Sequence, residues 1–383
     1  MATVASRRVG ARANGRPRDP GAPSTPPQPG SVPSVAFEHE QLAVRRGARS
    51  GLDVIVAVHS TALGPALGGV RLWHYPATID GVNDALRLAG GMTLKAAAAR
   101  LDLGGGKGVI CAPAGRLDAK RRRAALLDFG DLVESLGGSY VTAEDVGISP
   151  PDLVAIGERT AHLTGLPPER GGSGDPSPYT AIGVEAAIRA CCERRFGDRD
   201  LRGRRVVVIG LGHVGGELAC LLSAAGAELI LSDIDPARRE LANRLGARWV
   251  PPREAAEAHC DVLSPCALGG VVDRDNVGRL RCRIVCGSAN NQLADDSLAA
   301  ELNSGGVLYA PDFIANAGGL IHVYREIRGY SSERAAELAR GIEATLSSVL
   351  AEADARSITP LDAARELAGE RLHAATRRPA AAG

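Results

Sequence analysis

The sequence predicts an α/β protein of two domains, and three observations carry this prediction. The chain has 383 residues, more than one ordinary domain usually holds. Short apolar strands alternate with helical segments along most of it, an order typical of α/β folds. A stretch rich in glycine and proline at 165–178 separates two such regions. We therefore expect two α/β domains that join near residue 168.

The composition is that of a globular protein and argues against several functions. Hydrophobic residues make up 45% of the chain and charged residues 23%, with a mean hydropathy of -0.03. The net charge is +1, whereas proteins that bind nucleic acid usually carry a marked basic excess. No run of about 18 apolar residues occurs, so we expect no membrane span.

The eight cysteines and the first 33 residues bear on the compartment. No cysteine belongs to a paired CxxC arrangement, so we expect reduced thiols in a cytoplasmic protein and no metal site. Residues 1–33 contain five arginines and seven prolines without an apolar block, which does not fit a secretory signal. The prolines also oppose the amphipathic helix of a transit peptide. We interpret this segment as a disordered Arg/Pro-rich tail or as the result of a start codon assigned too early.

The first region begins at about residue 34. Its β-branched apolar runs predict strands at 52–60, 107–114 and 139–144, and its helical spacing predicts helices at 81–103 and 119–138. We expect the first helix to be broken at Gly90 and Gly91 and to end at the triple glycine 104–106.

The second region has the order of a parallel sheet with crossover helices. A long helix is predicted at 179–196, and 204–235 reads as strand, glycine turn, helix and strand. Further helices and strands are predicted in the segments that follow, namely helices near 236–246 and 252–260 and strands at 248–250, 261–267, 283–289 and 306–313. From Glu326 onward the pattern is helical, with Ser or Thr near the helix starts as caps.

A glycine motif predicts a dinucleotide site. Gly210, Gly212 and Gly215 lie directly after an apolar strand and directly before a helix, and the next strand ends at Asp233. In this pattern the glycines allow a tight turn, close approach of a pyrophosphate and close packing of helix on strand, respectively. Asp233 would accept hydrogen bonds from the adenosine ribose, and its charge favours NAD over NADP. The alternative is a glycine turn that serves packing alone.

Lysine is scarce in this chain. Only Lys95, Lys107 and Lys120 occur among 45 basic residues, and the other 42 are arginines. A buried lysine can titrate near neutral pH, whereas arginine keeps its proton. Lys95 and Lys107 lie in glycine-rich, uncharged surroundings, so they are the candidates for chemistry. Lys120 begins an ordinary charged helix.

At these lysines the sequence resembles the leucine/valine/phenylalanine dehydrogenases of the glutamate dehydrogenase superfamily. The resemblance covers about residues 36–373 and rests on nine motifs in the expected order. They are TALGPALGGVRLW (61–73), GGMTLKAA (90–97), GGGKGVI (104–110), TAEDVG (142–147), GDPSPYTAIGV (174–184), GLGHVG (210–215), PCALGG (265–270), GSANNQL (287–293) and YAPDFIANAGGLI (309–321).

The resemblance implies NAD-dependent oxidative deamination of an L-amino acid to a 2-oxo acid and ammonia. Lys107 would be the catalytic lysine with a lowered pKa, and Asp145 its acid/base partner. Lys95 would bind the substrate carboxylate with the backbone of Gly68 and Gly69. The other implied substrate contacts are Leu67, Met92, Ala143, Asn290, Leu320 and Val323. The other implied cofactor contacts are Leu211, His213, Val214, Thr180, Ala267, Ala289, Asn290 and Arg71, the last through the phosphates.

Simpler structural roles remain open for several of these residues. The two lysines could lie on mobile glycine loops, Asp145 could cap a helix, and Asn290 and Asn291 could only shape a turn. The histidines at 59, 74 and 322 are interpreted as packing or hydrogen-bonding residues. Pro150 and Pro151 depart from the family pattern and could reshape the loop after Asp145.

The leucines of the predicted substrate pocket favour a branched aliphatic substrate, leucine or valine, by their volume. A phenylalanine dehydrogenase is the alternative within the family, and a non-catalytic NAD-binding sensor is the alternative of another class. The resemblance also implies a homo-oligomer, an octamer or a dimer.

The fold expectation is thus an α/β catalytic domain at 34–168, completed by C-terminal helices at 345–383, and a Rossmann-type NAD-binding domain at 169–344. The active site would lie in the cleft between them, and domain closure would gate the reaction.

Overall fold

The computed structural model describes residues 38–377 of the chain. The predicted tail at 1–33 lies outside the described residues, as do the last six residues of the predicted C-terminal segment.

Eleven strands form within the described residues. They are β1 Gln41–Arg46, β2 Asp53–Ser60, β3 Ala66–His74, β4 Gly104–Ala112, β5 Tyr140–Glu144, β6 Arg205–Ile209, β7 Glu228–Ser232, β8 Arg248–Trp249, β9 Val262–Pro265, β10 Ile284–Val285 and β11 Leu308–Tyr309.

The same part of the chain forms thirteen α-helices. They are α1 Thr78–Ala98, α2 Ala119–Glu134, α3 Pro150–Gly157, α4 Ser177–Phe196, α5 His213–Ala224, α6 Arg239–Arg244, α7 Pro252–Ala255, α8 Leu298–Ser304, α9 Asp312–Ala315, α10 Gly318–Arg328, α11 Ser332–Arg340, α12 Ile342–Arg356 and α13 Pro360–Thr376.

The strands form two sheets. The first has the order β1-β2-β4-β3-β5, in which β2 runs antiparallel to β1 and β4, whereas β3 runs parallel to β4 and β5. The second has the order β11-β10-β9-β6-β7-β8, and all its strands are parallel. In chain order this is 6-5-4-1-2-3, the strand order of a Rossmann fold, so the predicted α/β class is confirmed.

Two predictions about glycines in the first region are wrong. Helix α1 runs unbroken through Gly90 and Gly91, because its face of buried alanines packs on β2 and β4. Such burial offsets the roughly 1 kcal/mol that each glycine costs a helix. The triple glycine 104–106 belongs to strand β4, not to a loop. A Cβ at Gly105 would lie 2.1 Å from the Thr93 backbone nitrogen, so glycine allows α1 to press against the strand.

The prolines after Asp145 have a local explanation. Pro150 and Pro151 occupy the first positions of α3, where a missing N–H costs nothing. Ser149 is the N-cap, and its backbone N–H and hydroxyl both donate to the Asp152 carboxylate. The prolines therefore start a helix that the sequence analysis did not predict.

The C-terminal helices begin with the predicted caps. The hydroxyl of Ser331 accepts from the Arg334 N–H at the start of α11, and that of Thr359 accepts from Asp362 at the start of α13. Helix α13 packs against α1 and α12. Arg371 of α13 donates to the carbonyls at the end of α1, those of Ala96, Ala97 and Leu101. The last helix is thus fastened to the layer that covers the first sheet.

Candidate active site

One cleft, with a volume of about 680 Å³, is lined by all the predicted substrate residues. Its lining residues come from β3, α1, β4 and β5 of the first region, from the segments after β10 and β11, and from α4, α10 and α13. The predicted residues that line it are Leu67, Gly68, Gly69, Arg71, Met92, Lys95, Lys107, Ala143, Asp145, Thr180, Asn290, Leu320 and Val323.

Lys107 and Asp145 form a close ion pair at the floor of this cleft. Lys107 lies in β4 and is 6% exposed, and its Nζ is 2.5 Å from Asp145 Oδ2. Asp145 follows the end of β5, and Ser149 rather than Asp145 caps the next helix. The alternatives of a mobile loop lysine and a helix-capping aspartate are therefore wrong.

The surroundings lower the pKa values of both groups. Burial lowers the pKa of Lys107, and the attraction of Asp145 opposes this without cancelling it. Burial raises the pKa of Asp145, but the charges of Lys107 and Arg71 outweigh it, so the net pKa is lowered. The pair thus holds a carboxylate beside an amine that loses its proton more readily than a free lysine.

Arg71 lies beside the same carboxylate. Its Nε is 3.1 Å from Asp145 Oδ2, and its Nη1 is 2.9 Å from Asp84 Oδ2 of α1. Two carboxylates therefore hold the guanidinium at the cleft. Its predicted contact with the cofactor phosphates stays a prediction.

Lys95 reaches across the cleft from α1. Its Nζ donates to Asn290 Oδ1 at 3.1 Å, and the same oxygen accepts from Asn316 Nδ2 at 2.9 Å. Burial lowers the pKa of Lys95, while the nearby Asp312 opposes the shift. The amide of Asn290 is thus fixed by two donors, which is more than a turn requires. Asn291, in contrast, has a φ of 52° and does shape the turn.

Glycines let the backbone itself form part of the cleft wall. A Cβ at Gly68 would lie 1.7 Å from the Gly106 carbonyl oxygen, so no side chain fits between β3 and β4 there. The Tyr140 hydroxyl donates to the Gly68 carbonyl at 2.6 Å and fixes this part of β3. The peptide groups of Gly68 and Gly69 are therefore rigid candidates for polar contact with a ligand.

The glycine turn connects β6 to α5. Gly210 has a φ of 95°, and a Cβ on Gly215 would lie 1.9 Å from the Gly210 carbonyl oxygen, so helix and turn touch directly. Gly212 is the N-cap of α5 and has no side chain to cap the helix. Asp233 at the end of β7 accepts from the Leu211 N–H at 2.6 Å and so joins the turn to the second strand.

Comparison with known proteins identifies the family. The family model described as Glu/Leu/Phe/Val dehydrogenase, dimerisation domain, matches residues 35–162, and the one described as Glutamate/Leucine/Phenylalanine/Valine dehydrogenase matches 231–379. A model described as the NAD binding domain of D-isomer specific 2-hydroxyacid dehydrogenase matches 185–268. The leucine dehydrogenase of Thermoactinomyces intermedius is 42% identical over 337 residues, covering 88% of this chain and 91% of the relative. The chain belongs to the Glu/Leu/Phe/Val dehydrogenase family.

Two further relatives support the assignment. The valine dehydrogenase of Streptomyces virginiae is 41% identical over 341 residues, covering 87% of this chain and 94% of the relative. The crystal structure of L-tryptophan dehydrogenase from Nostoc punctiforme superposes with a TM-score of 0.79 at 36% identity, covering 89% of this chain and 98% of that one. As a member of the Glu/Leu/Phe/Val dehydrogenase family, the protein is an amino-acid dehydrogenase with NAD as its cofactor. The predicted family, enzyme class and cofactor are confirmed.

The residues of the glycine turn fit NAD. A Cβ at Gly212 would meet no atom within 4 Å, so there is open space beside the N terminus of α5, where backbone N–H groups attract phosphate. His213 and Val214 begin α5, while Ala267 lies against Gly210. Ala289 is buried after β10, and its N–H donates to the Pro265 carbonyl. These residues frame the carboxyl ends of β6, β9 and β10, where Rossmann folds bind their ligands.

The sequence analysis did not single out two polar residues of the cleft. Asp312 accepts from the Gln292 N–H, and burial raises its pKa although Lys95 opposes this. Asn316 is 7% exposed and holds Asn290 and the Ser288 carbonyl through its Nδ2. Both lie in the motif at 309–321, so the motif located this segment but did not indicate the roles of these two side chains.

The predicted histidine roles agree with the contacts. His322 is buried, stacks on Tyr179 at 4.2 Å and lies 3.0 Å from the Ser173 carbonyl through Nε2. Between residues 38 and 377 there is no cluster of three or more metal-ligating side chains and no helix long and apolar enough to cross a membrane.

Proposed function

We propose that this family member deaminates branched-chain L-amino acids oxidatively, with leucine and valine as substrates and the 2-oxo acid and ammonia as products. The observation that carries the proposal is the buried Lys107–Asp145 pair in a cleft with an apolar end. Support for the substrate comes from the names of the relatives, leucine dehydrogenase and valine dehydrogenase, at 42% and 41% identity.

Each polar group of the cleft has one role in this proposal. The Lys95 ammonium and the Gly68 and Gly69 peptides bind the substrate carboxylate. Bound NAD would accept a hydride from the substrate α-carbon. Lys107, in its neutral form, takes a proton from the water that attacks the resulting imine carbon, and Asp145 passes protons to the departing nitrogen.

The apolar end of the cleft receives the substrate side chain. Leu67, Met92, Leu320 and Val323 line the cleft and belong to one hydrophobic cluster, and the small side chain of Ala143 also lines the cleft. None of these five side chains carries a charge that could pair with a distal carboxylate, so this part of the cleft disfavours such a substrate. The volume of the leucines favours a branched aliphatic group.

The test is a substrate panel at alkaline pH, with NADH formation measured for leucine, valine, phenylalanine and tryptophan. We expect the highest kcat/KM for leucine or valine. Tryptophan is included because a structural relative is named L-tryptophan dehydrogenase. A preference for an aromatic substrate would replace the branched-chain assignment, and NAD binding without turnover of any amino acid would indicate a sensor.

A matched pair of variants tests the role of the lysine. Lys107→Ala should abolish turnover while NAD still binds, whereas Lys120→Ala removes an exposed lysine of α2 and should leave activity unchanged. An active Lys107→Ala enzyme would contradict the assigned mechanism.

We also infer a cytoplasmic homo-oligomer whose two domains, 34–168 with 345–383 and 169–344, close around the substrate. The match of residues 35–162 to a dimerisation domain supports the oligomer, and the contact of Arg371 with α1 supports the role of the C-terminal helices. Light scattering after size exclusion measures the oligomeric state.

A further inference from the structure

We propose that Arg71 is a positioning residue for the Lys107–Asp145 pair and that Asp84 and Tyr75 hold Arg71 in place. This inference rests on the proposed function, because it concerns the acid/base chemistry assigned to that pair. It gives Arg71 a task beyond its predicted contact with the cofactor phosphates.

A continuous series of hydrogen bonds connects these residues. Arg71 Nε donates to Asp145 Oδ2, the oxygen that also contacts Lys107. Arg71 Nη1 donates to Asp84 Oδ2, which accepts the Tyr75 hydroxyl at 2.6 Å. The other Asp84 oxygen accepts from Arg87 at 2.7 Å. Asp84 is thus held by three donors and can in turn fix the guanidinium.

The series is largely shielded from solvent. The side chains of Arg71, Asp84 and Asp145 are 23%, 15% and 23% exposed, so water screens their charges incompletely. A guanidinium is planar and presents its N–H groups in a fixed fork, so it can hold two carboxylates in one geometry. A lysine at position 71 would supply the charge but not this geometry.

The arrangement also sets the charge around Lys107. Arg71 Nε and Lys107 Nζ lie 3.1 and 2.5 Å from one oxygen, so they are at most about 5.6 Å apart, the sum of those distances. A like charge at this range disfavours the protonated form of a lysine and so lowers its pKa. Arg71 accordingly lowers the pKa of Lys107, and Asp84 raises it by a smaller effect.

Other charged or titratable groups lie around the pair. Lys95 and Tyr140 act on it electrostatically, Tyr75 and Arg87 contact Asp84, and the remaining titratable groups that line the cleft are Glu144, Asp296, Tyr309, Asp312 and Arg365. All of these groups are unchanged in the variants described below, so their influence on the pH profile is the same in every variant.

The experiment is the pH profile of kcat/KM for leucine in three variants. The neutral form of Lys107 is required, so activity rises with pH through its pKa. Arg71→Gln removes a positive charge and should move this rise to higher pH by about one to two units. Asp84→Asn removes a negative charge and should move it to lower pH by less. Arg71→Lys should keep the position of the rise but lower kcat.

Shifts of opposite sign in the Arg71→Gln and Asp84→Asn profiles distinguish a positioning role from a general loss of structure. A loss of structure would move both pH profiles in the same direction or leave both in place. The α-amino pKa of the substrate is common to all profiles, so differences belong to the enzyme. Arg122→Gln is the matched control, since it removes an arginine from Asp152 outside the cleft and should not move the rise.

Every outcome of this experiment either supports or overturns the proposed role of Arg71. Unshifted profiles, or shifts of the same sign, would overturn the role of Arg71. If Arg71→Gln does not fold, the Asp84→Asn shift alone still supports or refutes it. Failure of the proposed function gives a different result, an active Lys107→Ala enzyme, and is therefore distinguishable.

Discussion

Two glycines of the turn before α5 allow cofactor binding and folding to be separated. Gly212 has a φ of -66°, and a Cβ there would meet no atom of the protein within 4 Å. Gly212→Ala therefore creates no clash with the rest of the protein and should leave the fold intact. The methyl group would occupy the space that the pyrophosphate needs.

Gly215→Ala, in contrast, should destabilise the fold. Its Cβ would lie 1.9 Å from the Gly210 carbonyl oxygen and 3.0 Å from the Cys266 Cβ, so α5 must move away from β6 by more than an ångström. Overpacking of this kind costs about 1–3 kcal/mol. We expect a melting temperature several degrees lower, at roughly 2–4 °C for each kcal/mol.

The assay measures two quantities for each variant, the melting temperature without NAD and the Kd for NAD from a fluorescence titration. Gly212→Ala should keep the melting temperature and weaken NAD binding tenfold or more, about 1.4 kcal/mol. Gly278→Ala is the control, since its Cβ also meets nothing within 4 Å and it lies outside the turn. NAD binding by Gly212→Ala at the wild-type Kd would refute the placement of the pyrophosphate.

Two further predictions concern specificity and stability. Leu320→Ala enlarges the apolar end of the cleft and should raise the ratio of kcat/KM for phenylalanine to that for leucine by about tenfold or more; an unchanged ratio would remove Leu320 from the pocket. Burial raises the pKa of Asp128, but hydrogen bonds from Ser50 and Arg49 lower it by a larger amount, so its net pKa is below the usual value. The stability it contributes is present above its unfolded pKa of about 3.9 and is lost as pH falls through the folded pKa. Asp128→Asn should therefore lower the free energy of unfolding by about 1–3 kcal/mol at pH 7. The difference in unfolding free energy between this variant and wild type, measured in urea, should become smaller below about pH 4, and a difference that stays constant with pH would contradict the argument.

The sequence predicted the elements of the second sheet well because each of them has a pattern in its own residues. The run before Gly210, the glycines and the run ending at Asp233 each identify their own element, and β6, α5 and β7 follow in that order. The glycines at 104–106 carry no such local signal. They belong to a strand because α1 packs closely on them, and the contact with Thr93 is visible only in three dimensions.

The same distinction applies to the site. Lys107 and Asp145 stand in motifs that point to chemistry by themselves, and the fold brings them within 2.5 Å across 38 residues. Asp84 and Asn316 act through partners, so their importance depends on contacts that no motif states. Asp84 in particular lies in an ordinary helical pattern and is distinguished only by Arg71 and Tyr75.

The scarcity of lysine gains a physical explanation from these positions. Lys120 is exposed at the start of α2, where arginine would serve as well. Lys107 is buried and paired with the Asp145 carboxylate, which Arg71 also contacts, and Lys95 shares Asn290 with Asn316 in the cleft. A guanidinium at 107 would stay charged at every pH in use and could not act as a base. A lowered pKa at position 107 can therefore matter only if the residue is lysine, because arginine would stay protonated. Arg71 provides a permanent positive charge beside the same carboxylate.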